Sequence, residues 1–553
     1  MLNALKTLMN NIRSYISSKR PWRAMAAMMI ALSLTAGCVA VDESAQVIQA
    51  PTPTPSAVQP IAGGTLKLGM DQNITTLHPL KTKNRSVMNA LSLVFEGLVR
   101  LDDTGKPIAA LAEKWELQEG EDGSLAWVFT LRQGVSFHQG GELKAADVVY
   151  SFNAIKALGE GSYWSAGLSG ATACEAVDDY TVKIHVQTPS YAIIGGMNFP
   201  VIPQSYYAQR ESDPLCLPNG TGAYVCQSYA QQEGMKLAAN ESWWRPRAKF
   251  DAVEVLPYAT QEDMHKAFEL GQLDCIDTDS VLTGQYQSAS VRAGAKEYTA
   301  HTLDALIFNY QNTLAQNEAF RAGIAYAIDA KNIANTTYQN HALITEGLIP
   351  QDSWLYSNQH KAFEHSKEVA LAQFQAAGLS YDTQTQTLRQ GGLPVSLTLL
   401  VCDDISNPYM RYAAETLQDQ LAQVGITVVL DRQGADGYDK KLKEHTYDLA
   451  MVRYTVGTTM DWSFAFDTES PNYCGYRSAT ISQALEDIAQ QRDEKGYKQA
   501  VSQLEQCFVY EVPFISLFYR TNTLLTQEKL YTNDTAPLDL NSYHGMDKWM
   551  RTP

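Results

Sequence analysis

Three pairs of adjacent carboxylates, Asp102-Asp103, Asp178-Asp179 and Asp403-Asp404, and two histidines five positions apart, His360 and His365, are the residues whose types could do acid–base or metal chemistry in this 553-residue chain. Each carboxylate pair stands in a turn-like context that suits solvated loop residues, whereas general acid–base work needs groups converging from separate segments. A spacing of five is poor for placing two imidazoles on one helical face. No Gly-x-x-x-x-Gly-Lys-Ser/Thr phosphate loop, His-Glu-x-x-His metal helix, Gly-x-Ser-x-Gly elbow or Gly-x-Gly-x-x-Gly fingerprint occurs. None of the eight cysteines is spaced as Cys-x-x-Cys, so a zinc ribbon or thioredoxin-like site has no support. Cys216 and Cys226, ten apart around Pro218 and Gly220, could close a loop in an oxidising exterior; the alternative is that most of the cysteines are small buried apolar residues. The sequence names no catalytic group, no metal ligand set and no cofactor, which shifts the weight towards binding.

Composition agrees. With 43 Lys+Arg against 60 Asp+Glu the formal net charge is −17, which disfavours nucleic acid as a partner because phosphate binding needs clustered excess cations. Apolar residues make up 45%, enough for a sizeable core. The first 40 residues set the compartment. Lys6, Arg13, Lys19, Arg20 and Arg23 precede an apolar stretch, Ala24 to Ala36, too short to span a bilayer but suited to a signal-peptide core region. Leu34-Thr35-Ala36-Gly37-Cys38 then resembles a bacterial lipobox, which implies cleavage after residue 37 and lipid on Cys38; a short membrane anchor or buried first helix is the alternative. Residues 38–60, with Pro51, Pro53, Pro55 and Pro60 and no apolar periodicity, read as a disordered tether.

Elements able to position a site follow. Thr65 to Met70 alternates into a strand, as do Val395, Leu397, Leu399 and Val401. Met410, Ala413, Ala414, Leu417, Leu421 and Val424 share one helical face, Gly425 suits the residue just past a helix end, and Ile426 to Leu430 is a second β-branched run. Strand, helix, strand predicts parallel pairing in an α/β sheet. Asn317 to Ile333 reads as one further helix. Trp115, Trp127, Phe129 and Leu131 fit a strand pair joined at Asp122-Gly123, and Asp147 could cap a helix starting at Val148.

The stretch from Ala110 to Phe152 resembles the signature region of the family 5 solute-binding proteins of ABC importers, the oligopeptide-, dipeptide- and nickel-binding family. The matching pieces are Glu113-Lys114-Trp115, Asp122-Gly123, Phe129-x-Leu131-Arg132, Val135-x-Phe137-His138, Gly140 and Ala146-Asp147-Val148-Val149-Tyr150-Ser151. Phe95-Glu96-Gly97-Leu98, Thr221-Gly222-Ala223-Tyr224, Ala325-Tyr326-Ala327-Ile328-Asp329 and Pro537-Leu538-Asp539 extend the resemblance along the body. It implies an α/β, two-lobe periplasmic-binding-protein-like fold of type II, closing at a hinge, with an extra domain inserted in the first lobe. By analogy lobe I takes 61–95, 201–300 and 517–553, the inserted domain 96–200 and lobe II 301–516.

In the peptide-binding branch an Asp after a Gly-Trp pair receives the ligand's amine. Here Gly457 falls at that Asp position, and Arg453-Tyr454 replaces Gly-Trp. Asp461, four residues later, could serve instead, or could cap a helix starting at Trp462. Arg453 could face a ligand carboxylate through its planar fork, or be a solvated strand-end residue. Tyr454 and Trp462 could wall a ligand site or pack in the core. The resemblance implies a monomeric, lipid-anchored extracytoplasmic protein on the outer face of the cell membrane, which passes a peptide or peptide-like solute to importer permease subunits. A metal chelate, an opine or a saccharide is the alternative cargo, and a surface signalling or adhesion receptor the alternative role.

Overall fold

The computed structural model describes residues 60–280, 283, 286, 293–358, 363–403, 408–466 and 472–553. The expected signal segment, Cys38 and all but the last residue of the expected tether lie outside the described residues. No described helix is long and apolar enough to cross a membrane.

Strand β1 (Thr65–Asp71) opens the body, with Leu66, Leu68 and Met70 buried as its alternation predicts. Then come β2 (Ala112–Glu119), β3 (Leu125–Leu131), β4 (Ala171–Asp178), β5 (Thr181–Val186), β6 (Tyr224–Ala230), β7 (Gly234–Ala239), β8 (Ala252–Tyr258), β9 (Cys275–Thr278) and the long β10 (Ala293–Phe308). Strands β11 (Ser396–Cys402), β12 (Thr427–Gln433), β13 (Leu449–Thr455) and the long β14 (Phe514–Gln527) follow. The main sheet runs β12-β11-β13-β10-β14-β9-β1-β8-β7-β6, with Ala342–Ile344 as a side strand on β14. A separate antiparallel sheet, β2-β3-β5-β4, lies within the 112–186 stretch.

In this two-lobe fold, with β12-β11-β13 on one flank and β9-β1-β8-β7-β6 on the other, β10 and β14 stand side by side in the middle of the main sheet. These strands pair antiparallel from Ala293 opposite Gln527 to Ile307 opposite Phe514, with register shifts between Thr299 and Leu303 and between Asp304 and Ala305. The shifts fall at the point along β10 where its pairing with β13 begins, at Thr302. A break in the ladder there frees backbone from the regular pleat and increases local bending. Composition follows: β14 is apolar through Tyr519 apart from Ser516, then turns to the buried polar run Arg520-Thr521-Asn522-Thr523.

In lobe II the expected strand, helix, strand unit is present. The helix Tyr409–Gln423 connects β11 and β12, which pair in parallel with Leu397 opposite Val428. Gly425 has φ +85°, and a Cβ there would sit 2.5 Å from the Leu388 nitrogen, so the position needs glycine. The stretch predicted as one helix from Asn317 to Ile333 is instead two, Glu318–Ala327 and Ala330–Tyr338. Ile328 is extended between them, and the Asp329 carboxylate accepts from the Asn332 N–H at 2.9 Å, a cap that starts a second helix in the middle of an apolar pattern.

Trp115 pairs across the ladder with Phe129, and Gly123, φ +77°, turns the β2–β3 hairpin as its Asp-Gly signal predicts. The helix behind this sheet begins at Ala145 and not at Val148. Asp147 therefore lies inside the first turn, where it accepts from the Lys144 N–H at 3.0 Å and from the Gln204 N–H at 2.9 Å. Cys216 and Cys226 are both buried free thiols, so the loop closure expected between them is not made. Burial pushes the Cys226 thiol up to about 12.

Candidate functional site

The residues flanking the lobe junction build the site. On the lobe I side, Arg85 at the start of the helix Arg85–Leu91 donates to the Tyr298 hydroxyl at 2.7 Å and pairs with Asp277 and with Asp539 of the C-terminal segment. Tyr298, on β10, donates to Asp277 at 2.5 Å. Burial opposes charge on Asp539, but Arg85 and then His301 outweigh it and hold the carboxyl below its ordinary range. Asp277 goes the other way, because burial there exceeds what Arg85 and Tyr298 return.

Two cavities meet around this junction and share Leu101, Thr458, Leu538 and Asp539. The smaller, about 180 Å³, is lined by the carboxylates Asp103, Glu297, Asp352 and Asp539 and, among the described residues, by no Lys or Arg. Glu297 lies 2.5 Å from His341, and Asp103 3.1 Å from His544. Burial holds the His544 imidazole below its ordinary range in spite of Asp103, so at neutral pH it does little to cancel that carboxylate. Asp352 accepts from the Thr299 hydroxyl at 2.6 Å and, among the described residues, has no cation within 4.0 Å.

The larger cavity, about 560 Å³, reaches from Thr458 back between β3, the β7–β8 loop and the C-terminal segment. Close backbone packing sets its floor: a Cβ on Gly222 would meet the Leu93 carbonyl at 2.7 Å, and this approach brings the Thr221 hydroxyl to Glu96 at 2.9 Å. The Trp244 indole N–H donates to the same carboxylate oxygen at 2.8 Å. Burial raises the Glu96 pKa, and these donors only partly offset it.

On one side the cleft is closed by contacts between the two halves. The Trp354 N–H donates to the Thr104 carbonyl at 3.0 Å, the Tyr191 N–H to the Gln491 carbonyl at 2.8 Å, and Lys106 pairs with Glu494 at 2.7 Å.

Of the residues expected at the site, none lines either cavity. Arg453 sits directly across the ladder from Asp304 and grips it with two bonds, Nε at 2.6 Å and Nη2 at 2.9 Å. Asp304 is fully buried and also accepts from the Tyr338 hydroxyl at 3.2 Å. A bidentate pair of this kind takes up the fork that a ligand carboxylate would need. Tyr454 and Trp462 are core, packed with Phe464 and Phe514 at ring separations of 5.4 to 6.3 Å. Asp461 is exposed, and its carboxylate accepts at 2.9 Å from the N–H of Ser463, the first residue of a helix that begins at Ser463 and not at Trp462. Gly457 begins a turn closed by the Met460 N–H, and it is the neighbours Thr458 and Met460 that reach the cavities. Asp103, read from the sequence as a solvated turn carboxylate, and Glu297, Asp352 and the Trp243-Trp244-Arg245 run, which the sequence did not single out, come from four distant segments. Only the last carries a local signal, two indoles beside a guanidinium.

Residues 106–472 match the family described as bacterial extracellular solute-binding proteins, family 5 (middle). Heme-binding protein A of Haemophilus influenzae is 26% identical over 363 residues, 61% of this chain and 63% of that protein, so the match spans under two thirds of that relative. The oligopeptide-binding protein AppA of Bacillus subtilis is 23% identical over 516 residues, 89% of this chain and 93% of that one. The solved structure of HbpA2 from Haemophilus parasuis superposes with a TM-score of 0.76 at 20% identity, covering 89% of this chain and all of that one, a likeness of fold.

Arg453→Ala should cost about 3–5 kcal/mol, since it strands the buried Asp304 carboxylate, while Asp461→Ala stays within about 0.5 kcal/mol of the parent. Urea denaturation followed by circular dichroism checks both. An Arg453→Ala protein of unchanged stability would remove the strut assignment.

Proposed function

We propose, from the premise that this chain belongs to the family 5 bacterial extracellular solute-binding proteins of ABC importers, that its cargo is a peptide or peptide-like solute held between the lobes by its amino end. The observation that carries this reading is the small acidic cavity at the lobe junction. Among the described residues, four carboxylates and no Lys or Arg line it, and Asp352 has no cation within 4.0 Å. A ligand ammonium entering there gains a charge-assisted hydrogen bond from which closing lobes exclude water. Asp352 belongs to the segment after Ala342–Ile344, and Thr299, which orients it, belongs to the crossover strand β10. An amine bound to Asp352 thus couples ligand to the region that bends.

Asp352 takes over the amine-binding task that the family places at the position of Gly457. The rest of the ligand extends past Thr458 and Met460 into the larger cavity, where side-chain space is ample. Binding involves no covalent step; selectivity comes from closure over a desolvated ligand. The protein works outside the cytoplasm, and we assign Cys38 as its lipid attachment point, with residues 39–60 as the reach between membrane and body.

Titration of the full chain with a tripeptide and with its N-acetylated form tests the amine site. Acetylation and Asp352→Asn should each weaken binding by about tenfold or more, and acetylation should cost nothing further in the variant. Equal affinity for both forms in the parent protein would refute the assignment. Independently, Cys38→Ser should release the protein from the membrane fraction with ligand affinity intact; persistent attachment would count against lipidation at Cys38.

A further inference from the structure

The larger cavity carries charge of the opposite sign to the molecule and to its neighbour. In a chain of net charge −17 its lining holds six cations, Arg100, Arg132, Arg245, Arg247, Lys249 and Lys548, against three carboxylates. Two of the six are spoken for. Arg247 pairs with Glu241 at 2.7 Å and with Asp251 at 2.9 Å, and Arg132 donates to the Ala110 carbonyl at 2.7 Å beside Glu113. Arg100 and Arg245 have no ion pair within 4.0 Å among the described residues.

Their setting is built. Trp244 lies between two guanidiniums, Arg132 at 4.7 Å and Arg245 at 4.3 Å from its ring, and Arg245 also lies 5.6 Å from Trp243. The indole is fixed from beneath by its hydrogen bond to Glu96. Stacking therefore holds the Arg245 fork in place without using its N–H donors, which is how a guanidinium is kept ready for a planar anion. Burial holds the Arg245 pKa below its ordinary range; Glu96 counters this, while Arg100 and Arg132 add repulsion. An incoming anion would relieve that repulsion.

We infer that Arg100 and Arg245 form a carboxylate-binding compartment that selects acidic peptides, those with a side-chain carboxylate close to the C-terminal one. The inference rests on the peptide reading above. With the acidic cavity at one end and this compartment at the other, joined through Leu101, Thr458, Leu538 and Asp539, the cleft is polarised to match a zwitterion with an excess negative tail.

The test titrates the full chain with Ala-Ala-Glu, with Ala-Ala-Gln carboxamide, with glutarate and with inorganic phosphate, and repeats it on Arg100→Ala and Arg245→Gln. Arg100 is solvent exposed, so its removal leaves the fold intact. The acidic peptide should bind about tenfold or more tightly than its carboxylate-free counterpart, less so at high salt, and each variant should erase most of that preference. Equal binding of the two peptides, or a preference unchanged in both variants, overturns the inference and leaves the peptide reading standing. Glutarate binding that both variants weaken, with no peptide bound, supports the compartment and removes the peptide reading. Phosphate alone binding overturns the carboxylate assignment, and no binding of any probe overturns both.

Discussion

Everything in this molecule hangs on two strands. β10 and β14 are the elements shared by both halves of the main sheet, and they must be rigid enough to carry two cores yet irregular enough to bend where the halves meet. The register shifts near Thr299 and Asp304 supply the irregularity. Rigidity on either side comes from buried ionic struts. Arg85 binds Tyr298, Asp277 and Asp539 on one side of the shift, and Arg453 binds Asp304 on the other. Such struts add little net stability over a well-packed apolar core, but they fix geometry, because their partners cannot slide without stranding a buried charge.

The proposed binding chemistry is arranged around the same junction. Thr299, between the struts, orients Asp352, and Asp539, held by Arg85, lines both cavities. A ligand reaching these groups touches the bending region directly, so closure and recognition draw on the same contacts. Charge is segregated, with carboxylates at the junction and stacked guanidiniums deeper between β3 and the C-terminal segment. That segregation gives an extended ligand one preferred direction.

Much of the fold was legible in the sequence where periodicity or turn chemistry was local. Leu66, Leu68 and Met70, the apolar stripe on the helix Tyr409–Gln423, the glycine at 425 and the Asp122-Gly123 turn all stand where their patterns place them. The helix break at Ile328-Asp329 was hidden because an Asp capping a helix looks, in one dimension, like an Asp on its polar face. The site was the least legible part. Arg453, Tyr454 and Trp462 have binding-competent chemistry, yet each is taken by a partner across the sheet or in the core, and sequence shows no partners. Asp352 gives the reverse case: nothing around it in the chain marks it, and it gains its role only when β10 brings Thr299 alongside.

The central claim, that the cleft takes peptides, is tested most directly by native mass spectrometry of the full chain, as purified and after mixing with a random peptide library. A ladder of co-purifying peptide masses, displaced together by excess of any one of them, is the expected result. A protein that ignores the library and carries a single small-molecule or metal-containing mass would contradict it.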